Sequence, residues 1–78
     1  MAKHTTRDKI WSTALHVAHS RKDREIPADR EFGHREVMES LDVEVSEKTV
    51  RDCLQSIRSE GWLRSPGTGI YHAPGAHD

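Results

Sequence analysis

The stretch Val45-Ser46-Glu47-Lys48-Thr49-Val50-Arg51-Asp52-Cys53-Leu54-Gln55-Ser56-Ile57-Arg58-Ser59-Glu60-Gly61-Trp62-Leu63 decides how the rest of this chain is read. Ser46 suits a helix N-cap, because its hydroxyl can accept from one of the first unpaired N–H groups. Val45 before the cap and Val50 inside the helix stand at the two positions of a hydrophobic staple. Val50, Cys53, Leu54 and Ile57 then recur at the spacing of one helical face. Gly61 supplies the stop. A capped helix over 46–60 is therefore expected, with one apolar and one polar face.

Working outward, Phe32-Gly33-His34-Arg35-Glu36-Val37 opens a shorter helix with Gly33 as N-cap, Phe32 and Val37 as a staple and Glu36 at N3. Val37, Met38 and Leu41 form its apolar stripe, and it is expected to stop near Asp42. Downstream, Trp62-Leu63-Arg64-Ser65 and Ile70-Tyr71-His72 flank Pro66-Gly67-Thr68-Gly69, the pattern of a β-hairpin. A one- or two-residue strand near Phe32 is expected to pair with Ile70-Tyr71. Upstream, a first helix is expected from Thr6 to Ser20, with Ile10, Trp11, Ala14, Leu15, Val17 and Ala18 within an arc of about 160°. Arg21 to Glu31 reads as a polar connection, and residues 1–6 and 73–78 as frayed tails.

Residues 32–72 resemble the winged helix-turn-helix family of prokaryotic or viral DNA-binding regulators. The resemblance rests on Arg35-Glu36-Val37-Met38-Glu39-Ser40-Leu41, on the run from Val45 to Leu63, and on the hairpin. With the first helix it covers about residues 6–72. It implies one α+β domain of three helices plus a C-terminal β-hairpin wing, with helix 46–60 reading duplex DNA and hairpin 62–72 as the wing. Two features depart from the family. The link Asp42-Val43-Glu44-Val45 is longer than the usual turn, and the wing tip lacks the Arg or Lys often found there.

A B-DNA major groove accepts one α-helix, so an exposed polar helix face is the physical requirement. With Val50, Leu54 and Ile57 inward, that face is Lys48, Asp52, Gln55 and Ser59, flanked by Arg51 and Arg58. Lys48 and Arg51 can reach guanine edges or phosphates. Gln55 can pair with adenine, and Asp52 can accept from cytosine or orient Arg51. Ser46 and Thr49 lie at the helix start, where N–H groups face a phosphate. Arg58, Arg64 and Thr68 complete the expected DNA-binding set. Taken without the resemblance, the same face is equally a solvated one with pairs such as Glu47–Arg51.

Composition sets bounds on this reading. Seventy-eight residues make one domain, with no surplus apolar surface to wall off a deep substrate pocket. Net charge is −1, so any DNA-facing surface is a local patch. Residues 1–24 hold six Lys/Arg against two Asp, residues 25–45 hold two Arg against seven acids, and residues 46–78 balance at four each. The lone Cys53 excludes an internal disulfide and a multi-cysteine zinc site, which suits a reducing cytoplasm. On the inward helix face it reads as a core residue.

The six histidines, His4, His16, His19, His34, His72 and His77, read as solvent-exposed, since spacing places no third ligand beside His16 and His19. No nucleophile elbow or phosphate loop is present, so the expectation is a non-enzyme without cofactor, metal or small-molecule substrate. Trp11 and Trp62 read as core anchors, or alternatively as part of an oligomer contact. The expected partner is double-stranded DNA, with helix 1 the candidate surface for a homodimer and no membrane association. The alternative from another class is a winged helix that binds protein, through its acidic second helix or its neutral wing.

Overall fold

Gly61 shows how one residue closes the central helix and starts the hairpin. In the computed structural model, which describes residues 6–76, its φ is +88°, a backbone state open to glycine. The Gly61 N–H donates to Arg58 O at 3.0 Å and the Trp62 N–H to Ile57 O at 3.1 Å. These paired bonds are a Schellman closure of α3 (Glu47–Ser59). At the other end the Thr49 N–H donates to Ser46 Oγ at 3.2 Å, so the expected cap is present. Val50, Cys53, Leu54 and Ile57 are each at most 1% exposed, and Val45 packs against them.

The other helices are α1 (Thr6–Arg21) and α2 (His34–Ser40). α2 starts at Gly33, whose N–H donates to Glu36 Oε2 at 2.7 Å. A side chain at Gly33 would bring a Cβ within 3.0 Å of the Gly69 carbonyl, so the turn of the hairpin lies tight against the start of α2. Ile10, Ala14, Val17 and Ala18 of α1 enter the core, while Trp11 and Leu15 pack at its edge. α1 packs on α2, on α3 and on β2, which uses most of the arc expected to offer a dimer contact.

The hairpin pairs β1 (Arg64–Gly67) with β2 (Ile70–His72), antiparallel, with Arg64 opposite His72 and Gly67 opposite Ile70. β1 has one residue more than β2 between those pairs, a bulge at Ser65-Pro66. A proline fits there because it has no N–H to place in the ladder. The turn is thus shorter than expected, Thr68-Gly69 alone. On its other side β2 meets Phe32, as expected: Phe32 and Tyr71 exchange two N–H···O bonds of 2.8 Å, and their rings lie 6.3 Å apart.

Three further expectations need correction. Trp62 is 57% exposed, not a core anchor. Trp62 and Leu63 form a bend between the Schellman turn and β1, and Leu63 takes the inward place at 1% exposure. His72 is buried rather than solvent-exposed, with its Nδ1 2.9 Å from Ala73 O. Residues 73–76 are not a frayed tail, because Ala73 and Ala76 are buried and Arg30 donates to Ala76 O at 2.8 Å. The connection between α1 and α2 contains a 3-10 turn, Pro27–Arg30. It is pinned by Arg21, which donates to Asp29 O and Glu31 O, and by the second Arg30 bond, to Arg24 O. His4 and His77 lie outside the described residues.

Candidate nucleic-acid interface

α3 has two chemically opposite faces. Its apolar side is closed into the core, and Lys48, Arg51, Asp52, Gln55 and Arg58 stand exposed on the other. A 13-residue helix is about 20 Å long, so these side chains span several base pairs of a groove.

At its N-terminal end the Ser46 and Thr49 hydroxyls lie 2.7 Å apart and satisfy each other as well as the cap. Ser46 is exposed and Thr49 half-buried, so Ser46 is the more open of the two. Lys48 projects from the first turn. Farther along, Arg51 Nη1 lies 4.0 Å from Glu47 Oε1, the pair expected from their spacing. At 61% and 58% side-chain exposure such a pair contributes only about 0.3–0.5 kcal/mol, so it orients Arg51 more than it stabilises the fold.

The hairpin joins this face at its C-terminal end. Gln55, Arg58 and Thr68 line a notch of about 290 Å3 between α3 and the hairpin turn. Arg58 also borders an open hollow of about 630 Å3 with Arg64, Pro66 and His72. Four of the nine expected residues therefore converge, with Arg58 between Gln55, Thr68 and Arg64. The turn has no cation of its own, and Arg58 of α3 supplies one beside it. Ser46, Lys48 and Thr49 are at the opposite end of the helix, and Arg51 and Asp52 lie between the two groups.

Charge from α1 reaches the core side of α3. The Cys53 thiol is held above its ordinary pKa, first by burial; the Arg7 guanidinium pulls it down and Asp52 pushes it up. Arg7 in the first turn of α1 therefore lies near the middle of α3. Two other arginines of the basic N-terminal half and the connection, Arg21 and Arg30, are engaged by backbone carbonyls.

Three features were not found by reading residues. Glu47 also meets His34 of α2, with Oε1 and Nε2 at 2.8 Å; nothing in the spacing of positions 34 and 47 signals that contact. Trp62 and Ile70 are exposed apolar side chains, at 57% and 41%. A groove of about 770 Å3 runs along the link between α2 and α3, with Met38, Leu41, Val43 and Val45 below and Asp42 and Glu44 at its rim. Among the described residues no group of three or more His, Cys, Asp or Glu could hold a metal ion. No helix among them is long and apolar enough to cross a membrane.

Three helices followed by an antiparallel hairpin, with α3 turning a polar face outward beside it, define the α+β winged-helix layout. No family model, curated protein or solved structure matches the chain.

Proposed function

We propose that this chain is a winged helix-turn-helix regulator that binds double-stranded DNA in the cytoplasm, reads sequence through α3 and carries out no chemistry. The observation that carries the reading is the sidedness of α3: four apolar residues at most 1% exposed, opposed by Lys48, Arg51, Asp52, Gln55 and Arg58 in solvent. Arg51 and Gln55 supply the donors and acceptors that base edges require. Arg58, Arg64 and Thr68 supply contacts of the kind that phosphates take. Lys48 extends the positive charge toward the start of the helix.

Fluorescence anisotropy of mixed-sequence duplexes from low to physiological salt tests this. About 3–5 phosphate contacts per subunit give a moderate log–log salt slope. Absence of binding even at low salt overturns the reading. A second reading, a protein-binding winged helix, is favoured by one observation: the groove between α2 and α3 combines an apolar floor with the acids Asp42 and Glu44. It predicts that a basic amphipathic peptide binds while duplex DNA does not.

A further inference from the structure

The first residues of α2 and α3 meet on a single oxygen. Glu47 opens α3, and its Oε1 lies 2.8 Å from Nε2 of His34, which opens α2. The same Oε1 lies 4.0 Å from Arg51 Nη1. The two contacts differ in their surroundings. The His34 side chain is 23% exposed and sits among residues of the α2 start, whereas Glu47 and Arg51 are 58% and 61% exposed. The carboxylate is thus tied to the body of the domain on one side and presented to Arg51 on the other.

An exposed ion pair between two long side chains is usually weak because both must be ordered to form it. Here His34 already restricts Glu47, so holding Arg51 requires ordering one side chain rather than two. The position suits the acid independently, since a carboxylate in the first turn of α3 faces the positive end of the helix dipole.

We propose that Glu47 is the positioning residue for Arg51, with His34 as its anchor, and that it sets sequence selectivity at the cost of overall affinity. This rests on the DNA-binding reading above. A fixed carboxylate beside the reading face disfavours phosphate approach on every sequence. It also holds the Arg51 guanidinium along the helix instead of leaving it to follow the nearest phosphate. A guanine edge offers Arg51 two acceptors in a geometry that offsets the pull of Glu47, and a random site does not. Selectivity then arises from what the acid rejects as much as from what the arginine accepts.

A double-mutant cycle tests it. Wild type, Glu47→Gln, Arg51→Ala and the double variant are titrated on a duplex selected with the wild type and on a random duplex, with folding checked by circular dichroism. Glu47→Gln keeps the size and an oxygen acceptor for His34 but removes the charge. It is expected to tighten binding to random DNA severalfold and to lower the selected-to-random ratio by roughly threefold or more, a coupling within the usual range for contacting residues. In the Arg51→Ala background the same substitution tightens both duplexes equally and leaves the ratio unchanged. His34→Ala, which leaves Glu47 and Arg51 in place, lowers the ratio in the same direction. If Glu47→Gln shifts both duplexes by one factor with Arg51 present, Glu47 acts by charge alone and the proposal fails while DNA binding stands. If His34→Ala leaves the ratio intact, the anchoring role fails. If the wild type binds no duplex, both the positioning role and the DNA-binding reading fall.

Discussion

Arg21 at the end of α1 and Arg30 in the connection, against Arg51 and Arg58 on α3, are the same side chain put to opposite uses. Arg21 donates to the carbonyls of Asp29 and Glu31, and Arg30 to those of Arg24 and Ala76. Arg51 lies 4.0 Å from one carboxylate, that of Glu47, and Arg58 stands exposed between helix and hairpin. The cause lies in the backbone around them. An irregular connection leaves carbonyls without ladder partners, and a guanidinium with five donors satisfies them. A helix interior satisfies its own carbonyls, so an arginine on its outer face keeps its donors for another molecule. Counting charge along the chain therefore overstates how much of the positive charge before α2 is available to a polyanion, since Arg21 and Arg30 are engaged by carbonyls.

The comparison can be broken most directly at Arg30. Arg30→Ala is expected to cost about 1–3 kcal/mol, because it removes two charged hydrogen bonds and leaves the carbonyl of buried Ala76 without its donor. In a domain of this size that lowers the melting temperature by roughly 4 °C or more, read by thermal denaturation. DNA affinity of the folded protein stays the same. An unchanged melting temperature would mean that these bonds do not hold the connection.

On α3 the prediction runs the other way. Arg51→Ala and Gln55→Ala should leave the melting temperature nearly unchanged and cost about 1–3 kcal/mol on a preferred duplex, with less loss on random DNA. Arg64→Ala, beside Arg58, should weaken both duplexes similarly and shallow the salt slope by about one unit. Paired titrations on the two duplexes separate these outcomes. If Arg64→Ala abolishes site preference while Arg51→Ala and Gln55→Ala keep it, the hairpin reads sequence and α3 does not.

The smallest expected effect concerns Arg7, which belongs to neither group. Its charge opposes the burial that raises the Cys53 pKa. A thiol raised in the folded state stays protonated after the unfolded chain has ionised, so stability should fall as pH rises above the ordinary thiol range. Arg7→Ala removes the lowering influence, raises the Cys53 pKa further and extends that decline to higher pH. Stability measured by denaturant titration between pH 7 and 10 would detect the change. A decline that ends at the same pH in Arg7→Ala as in the wild type would place Arg7 away from Cys53.

Much of this was legible in the order of residues. Ser46, Val45, Val50 and Gly61 marked both ends of α3, because caps and staples act over a few residues. The pairing of Phe32 with Ile70-Tyr71 was also anticipated and lands on Tyr71. Trp62 and His72 went the wrong way because residue type names what could be buried, while the packing of the bend before β1 and of the end of β2 decides what is. Leu63 is buried instead of Trp62, and Tyr71, His72 and Ala73 are buried in succession.

The candidate site divides along the same line. The outward face of α3 follows from periodicity, since burying Val50, Cys53, Leu54 and Ile57 leaves Lys48, Arg51, Asp52 and Gln55 no other direction. The sequence by itself thus determined the helices, their caps, the hairpin and which side of α3 faces solvent, all products of interactions spanning a few residues. Only the tertiary structure decided that Thr68 sits beside Gln55 and Arg58, that His34 and Arg51 share Glu47, and that Arg30 ties down Ala76. Those contacts join positions 10 to 46 residues apart or cross from one element to another. They depend on the angles at which packed elements meet, which local propensity does not encode.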